Sequence, residues 1–400
     1  MNFKKVAFIP LMALLLVGCG SNNNNNKGGK SGSQQGGDDS FDVSEPAGEV
    51  ASKDAFKQAL SSSATSLLAQ NAVGLDLTNT AVEGHLVQKS YDGQAFFDAA
   101  KVDASVSNVT LKARVEGLQS QNPNEEFKAS VDLGLDATAK GKVADWDDEA
   151  NQLIYHNFDL SGNIAAKAFM VGNQPYVNIP ESNAKVFNDV VTFLTTNGYV
   201  EADDIPEVAF PVNYKLMGLD LDLSMLPAAI AQIDAEDLNE GIGELVDELS
   251  EMPAQFGTLK FIKESESKYA LYADINFSED TTVEYNGEEY LLGTNAIQVK
   301  GVIEFDTTVG LTKVAVQASY NMGNTLVGLN GSEVIDAGMP KELLETVIQT
   351  ISVSGQAQVN LVYGNNAKAE IPSDLSGYVE LDLGALLGGG SKSGYEEIGE

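Results

Sequence analysis

The sequence predicts an α+β fold: a curved, half-barrel-like antiparallel β-sheet packed on or wrapped around helices from the middle of the chain. Residues 127–139 and 154–170 alternate apolar and polar side chains, the pattern of strands with one solvated face. Residues 183–196 and 226–256 instead repeat apolar side chains at helical spacing. Because a one-sided sheet must cover its apolar face, these helices are expected to lie on it.

The same two periodicities predict the other elements in chain order. Ser52 is a suitable N-cap for the first helix, and Asn286-Gly287 is a tight-turn signal within an acidic connection. The further elements are a helix over 54–69, strands between 73 and 170 with a hairpin connection at 145–149, strands over 269–277, 297–305 and 314–320, a short helix over 340–351 and a strand over 351–363.

Composition divides the chain into four parts. Residues 1–18 are predicted to be an export signal, because a basic start precedes an apolar stretch too short to span a bilayer comfortably. Residues 19–49 are rich in Gly, Ser and Asn, and this composition predicts a disordered tether. Residues 50–387 are predicted to form a single α+β domain, followed by a flexible tail over 388–400.

The end of the export signal is the most informative short motif. Leu16, Val17 and Gly18 precede Cys19, the sole cysteine of the chain, where the apolar stretch ends. This arrangement resembles the lipobox of bacterial lipoproteins. The resemblance implies cleavage before Cys19 and a diacylglyceryl or palmitate anchor on its sulfur, which would hold the domain at the extracytoplasmic side of a cell membrane or outer membrane. The alternative is an ordinary secretory signal with an incidental cysteine.

Charge excludes several functions. The formal net charge is −34, so the chain would repel nucleic acid and anionic headgroups. Arg114 is the single arginine of the chain. A site that binds carboxylate or phosphate groups through several arginine side chains is therefore nearly excluded. The single cysteine also excludes a disulfide framework.

No catalytic or metal constellation is recognisable. His85 and His156 are the two histidines and have no zinc-ligand spacing, and His156 falls on an apolar strand face, where a buried structural role is expected. Asp145, Asp147 and Glu149 alternate as in the start of a calcium loop, but Ala150 occupies the position that needs glycine. We therefore expect a protein that is not an enzyme and has no cofactor or metal.

The layout resembles the lipoprotein-localisation (LolA/LppX-like) half-barrel group of bacterial lipoproteins. The residues that show the resemblance are a first helix after the lipobox, the long hairpins, the stretch Ala168–Val177, helices, the late strand pair and the closing Ala369–Asp374. Members hold an apolar cavity between sheet and helices, and several carry lipids. By implication, the cavity-lining candidates here are Phe158, Leu160, Ile164 and Met170, facing Leu245 and Leu249.

Two functions remain open at this point. The first is a membrane-anchored lipoprotein that binds or carries a lipid or other apolar ligand in a cavity between sheet and helices. The second is a structural or surface-interaction lipoprotein in which the same apolar residues form a filled core and no small molecule binds. Protein partners and the identity of any ligand are not determined by the sequence.

Overall fold

The computed structural model describes residues 41–91, 96–147, 152–196, 200–201, 210–217, 235–251, 253–285, 288–322 and 348–382. The predicted signal, Cys19, the flexible tail and residues 340–347 of the predicted helix over 340–351 lie outside the described residues. Where that helix was expected to end, Ile348–Ile351 is already strand, so this part of the prediction is wrong.

Most described residues belong to long strands. The helices are α1 (Lys53–Leu68), α2 (Pro123–Glu126), α3 (Asn183–Thr196) and α4 (Ala235–Ser250). The strands are β1 (Glu49–Val50), β2 (Ala72–Tyr91), β3 (Phe96–Glu116), β4 (Lys128–Asp147), β5 (Gln152–Val171), β6 (Gln174–Ile179), β7 (Val212–Met217), β8 (Gly257–Lys263), β9 (Lys268–Tyr285), β10 (Glu288–Asp306), β11 (Gly310–Met322), β12 (Ile348–Tyr363) and β13 (Val379–Asp382).

All of these strands form one sheet. Its order is β1-β8-β9-β10-β11-β12-β2-β3-β4-β5-β6-β7-β13, so two groups of sequential hairpins meet at the β12–β2 pair. Neighbouring strands run antiparallel, as predicted, except that β13 pairs with β7 in parallel. The result is a sheet of 13 strands.

The predicted α+β fold, with a sheet packed on or wrapped around mid-chain helices, is wrong. The protein is a single large mixed sheet with few helices, and α3 and α4 each pack against a limited part of it. The periodicity identified the long strands, although β1, β7, β8 and β13 were not predicted, and it does not state how many strands join one sheet. It also underestimated strand length: β9 and β10 continue through the acidic residues on both sides of Asn286-Gly287.

The sheet has a row of irregularities where β12, β2 and β3 lie side by side. Register shifts fall at Gln356–Gln358, Leu77–Val82 and Ser107–Thr110. Asn79 and Asn108 have positive φ angles of 49° and 50°, a region that asparagine tolerates better than most residues. Because β-bulges bend strands, three of them in register bend the sheet along one line.

Helices α1 and α4 pack together over β8–β10 and form the main core. Ser52 caps α1 as predicted, accepting a hydrogen bond from the Ala55 N–H at 3.3 Å. Phe56 is 2% exposed, with its ring 4.5 Å from that of Phe261 and 5.3 Å from that of Phe305. Val246 of α4 is fully buried in the same cluster.

Two salt bridges join the polar surfaces of these two helices. Lys53 and Lys57 lie 2.5 and 2.6 Å from the Asp247 carboxylate. Hydrogen bonds from Lys53 and then Lys57 lower the pKa of Asp247 below its ordinary value. The pair α1–α4 is therefore joined by apolar packing inside and by charge outside.

The folded part of the chain begins before residue 50. Val43 is buried, Glu45 pairs with Lys260 at 2.5 Å, and Val50 of β1 pairs with Ile262 of β8. The last part of the predicted tether thus lies along the edge of the sheet.

Candidate functional site

Over β2–β5 the sheet has one apolar and one polar face, and strand register decides which residues share each face. On the apolar face, Leu75, Ala113, Val131 and Ala168 are direct neighbours across four strands. On the polar face, the corresponding neighbours one residue away include oppositely charged pairs such as Lys167 and Asp132. Alternation along each strand therefore separates the two faces over β2–β5. Over β8–β10 the face opposite α1 and α4 is instead buried around Ile262, Ala270, Tyr272 and Val302.

A row of apolar residues crosses eight adjacent strands above the bulges, and we call it the open row. Each member is the direct cross-strand partner of the next. The open row consists of Phe277, Ile297, Tyr320, Val353, Gly84, Ala104, Ala139 and Leu160. None of the eight is buried, and Phe277 and Ile297 are 38% and 40% exposed.

Helix α3 covers the β5 end of the open row. Val186 lies so close to β5 that a Cβ on Gly162 would be 1.9 Å from its Cγ2 atom, so glycine is required for this packing. The Phe193 ring lies 5.6 Å from that of Phe158. Asn183 fixes the start of the helix, because its amide donates to the Ala165 carbonyl at 2.8 Å and its Oδ1 accepts from the Ala165 N–H at 2.9 Å.

An apolar pocket of about 350 Å³ lies on the same face, between the C-terminal end of α1 and strands β2 and β3. Gln70 is its one polar side chain, and the Gln70 amide donates to the Ser66 carbonyl at 3.2 Å. The apolar lining comes from Leu67, Leu68, Val73, Leu75, Ala113, Val115 and Leu118. For comparison, an apolar cavity of about 150 Å³ is sufficient to bind benzene.

The structure divides the predicted cavity residues between two packing groups. Phe158, Leu160 and Ile164 lie on the apolar face of β5, which packs against α3, and Met170 lies near the far end of β5. Leu245 and Leu249 lie on α4, which packs against α1. A cavity lined by both sets is therefore not found among the described residues. The α1 pocket was not predicted, although Leu67, Leu68, Ala113 and Val115 all stand at apolar positions of recognisable elements.

The polar face is a network of exposed hydrogen bonds and ion pairs. His85 Nδ1 contacts Asp103 Oδ1 on this face. On the apolar face, near the β4–β5 connection, His156 Nε2 lies 3.4 Å from Asp145 Oδ2. The expected fully buried His156 is instead half-buried beside this exposed aspartate. Within the part of the chain that the structure describes, no group of three metal-ligating side chains occurs.

One carboxylate on this face has a clearly displaced pKa. The Asn108 and Asn163 amides donate to Asp136 at 2.6 and 3.1 Å. These hydrogen bonds, chiefly the one from Asn108, lower the pKa of Asp136. The arrangement fastens the β3 bulge to β4 and β5, which is a structural role.

Comparisons with known proteins provide no family. No protein-family model and no curated protein matches the chain. Among solved structures, the type IV competence pilus secretin PilQ of V. cholerae aligns at 9% identity with a TM-score of 0.11, over 72% of this chain and 58% of the secretin chain. A score this low does not indicate a shared fold. Separately, no helix within the described residues is long and apolar enough to cross a membrane.

Proposed function

We propose that this protein is a non-enzymatic, lipid-anchored lipoprotein of the cell membrane or outer membrane that binds a lipid or other apolar ligand on the apolar face of its sheet. The sequence supports the anchor through Leu16, Val17, Gly18 and Cys19. Two acyl chains on Cys19 would suffice for stable attachment. The domain would then face the extracytoplasmic side.

The observation that supports ligand binding is the open row. Soluble monomers rarely expose contiguous apolar patches larger than a few hundred Å², and larger ones usually mark interaction sites. Among the described residues, helices pack on the two flanks of this face, with α1 and α4 over β8–β10 and α3 over β5. The strands between them keep half-buried apolar side chains.

Small side chains shape the middle of this face. At Gly84 an added Cβ would have no neighbour within 4 Å, and Ala104 and Ala139 follow it across β3 and β4. Open space above small apolar residues suits an acyl chain or a similar flexible apolar group. The α1 pocket, with its almost wholly apolar lining, offers a second place for such a group on the same face.

The test is mass spectrometry of organic extracts from the protein starting at Gly20, expressed in a bacterial host and purified without detergent. Omitting Cys19 prevents acylation, so any lipid recovered is bound non-covalently. We expect a defined lipid at near-stoichiometric amounts. Ala104→Glu, which places a charge in the open row, should reduce the recovered lipid at least fivefold because a charge is costly in an apolar site.

Thr110→Glu is the matched control, because Thr110 is an exposed residue of the same strand on the polar face. It should retain the wild-type amount of lipid. Absence of lipid from the wild type, or equal loss in both variants, would overturn the proposal. Absence of lipid together with a single cooperative unfolding transition would instead favour the structural or surface-interaction lipoprotein.

A further inference from the structure

A second pocket lies on the polar face, beneath the C-terminal segment 368–378, and its volume is about 280 Å³. Strands β3, β4 and β5 form its floor. Two contacts fix the segment above them: the Glu370 N–H donates to Ser130 Oγ at 2.9 Å, and the Tyr378 ring packs edge-on against Phe169 with centroids 5.4 Å apart. These contacts fix the C-terminal segment as a roof over the pocket. The volume of the pocket is that of a small ligand.

The floor carries a row of alternating charges. Lys112 of β3 has Asp76 and Asp132 as its direct cross-strand neighbours on β2 and β4. Each of these aspartates binds a different cation: Asp76 lies 2.6 Å from Arg114, and Asp132 lies 2.6 Å from Lys167. Lys112 belongs to neither ion pair, so its ammonium is the floor cation best placed to receive an anionic group.

The buried Arg114 supports this part of the floor. Its side chain is 10% exposed and donates to the carbonyls of Leu75 and Ala113 as well as to Asp76. These bonds hold the guanidinium flat over Gly74, where a Cβ would lie 2.6 Å from Arg114 Cδ. The sole arginine of the chain is thus a fixed positive charge beneath the pocket.

The roof provides the opposite charge and an apolar wall. Glu370 is exposed and lines the pocket. The pKa of Lys167 is raised chiefly by the hydrogen bond that it donates to Asp132, and the negative charge of Glu370 adds to this shift. Ile371, Pro372 and Tyr378 form the wall beside Glu370. Burial raises the pKa of Tyr378 above its ordinary value.

We propose that this pocket binds a free amino acid with an apolar side chain. Its carboxylate would lie at Lys112, its ammonium at Glu370 and its side chain against the Tyr378 wall. A zwitterion is favoured over a simple anion because Asp132 and Glu370 would repel the latter, and the chain as a whole carries a formal charge of −34. The site lies on the face opposite the open row and does not depend on lipid binding.

The experiment is isothermal titration calorimetry of the protein starting at Gly20 with L-leucine and L-phenylalanine. L-leucinamide, which lacks the carboxylate, and N-acetyl-L-leucine, which lacks the ammonium, are the matched ligands. We expect saturable binding of at least one amino acid and at least tenfold weaker binding of both blocked forms. No binding of either amino acid at millimolar concentration, or equal binding of the blocked forms, would overturn the proposal.

Two variants locate the site. Lys112→Gln and Glu370→Gln change exposed side chains, so both proteins should keep the wild-type unfolding temperature while their affinity falls at least tenfold. Lys140→Gln is the control, because Lys140 is an exposed lysine on the same face of β4 whose partner Asp159 lies 3.1 Å away, outside the pocket. Unchanged affinity in the first two variants, or equal loss in all three, would contradict the assignment.

Discussion

The part of the apolar face that α1 and α4 cover, here called the covered end, is built from the same kind of strand as the open row. The two regions differ in packing. At the covered end, α1 and α4 bury Phe56, Val246 and Phe305 almost completely. In the open row, Phe277 and Ile297 occupy equivalent positions on the same face and remain more than a third exposed. Two helices therefore pack on this end of the apolar face.

This difference shows that an apolar strand face does not define a core by itself. A core also requires a second layer, since stability comes from contacts on both sides of a side chain. Where the second layer is missing from the described residues, the same alternation leaves apolar side chains partly exposed, as at Phe277 and Ile297. The predictions below test this contrast, from the largest effect to the smallest.

The largest effect is expected at the centre of the covered end. Phe56→Ala should lower the free energy of unfolding by about 3–5 kcal/mol, because it removes a fully buried ring and leaves a cavity. Phe277→Ala is the matched change on the open row and should cost about 1 kcal/mol or less. Urea denaturation measures both. Equal losses would mean that the two regions are packed alike.

Substitutions at two glycines compare the part of the apolar face that α3 covers with the open row. Gly162→Val should lower stability by about 1–3 kcal/mol, because its side chain would overlap Val186 and push α3 away. A Cβ added at Gly84 would have no neighbour within 4 Å, so Gly84→Val should be nearly neutral in the same denaturation assay. A large loss at Gly84 would show that the open row is covered after all.

Alkaline pH should weaken the covered end through Tyr363. Its hydroxyl donates to the Leu311 carbonyl, and burial raises its pKa from 10.0 to about 12. Because the folded-state pKa is above the unfolded value, this contribution is complete below pH 10 and is lost as the pH rises toward 12. Tyr363→Phe should show a smaller loss of stability over this interval, measured by denaturation at each pH. An unchanged pH dependence would contradict the assignment.

The smallest effect is expected at the bulge beside the open row. Hydrogen bonds lower the pKa of Asp136 below 3.8, so its contribution is present above that pH and is lost as the pH falls through the folded-state value. Asp136→Asn should therefore reduce the loss of stability on acidification. Asp159→Asn, at an exposed ion pair on β5, is the control. The free energy of unfolding, measured as the pH is lowered, distinguishes the two variants.

Local structure was largely predictable from the sequence. Helix α3 has the predicted limits, and Ser52 caps α1 as expected. The alternating stretches at 127–139 and 154–170 correspond to β4 and β5, except that Phe127 precedes the first residue of β4. These features depend on neighbouring residues in the chain, so periodicity and capping rules apply directly. Strand ends were less predictable, because exposed charged residues such as Glu279 continue a strand.

The candidate site was only partly predictable. Phe158, Leu160 and Ile164 are on the apolar face as expected, but Leu245 and Leu249 belong to the α1–α4 group. The charged pocket was not anticipated, because Lys112 and Glu370 are far apart in sequence and are brought together by the C-terminal segment. No local pattern encodes such a pairing.

The sequence alone determined most of the long strands, the limits of α3, the cap of α1, the apolar side of strands such as β4 and β5, and the acidic net charge. Tertiary structure decided that the strands join into one 13-stranded sheet, that helices cover selected parts of it, and that opposite charges meet beneath the C-terminal segment. The physical reason is separation along the sequence, because periodicity and capping depend only on residues a few positions apart. Strand order and the placement of a covering layer depend on the pairing of distant segments, such as β12 with β2.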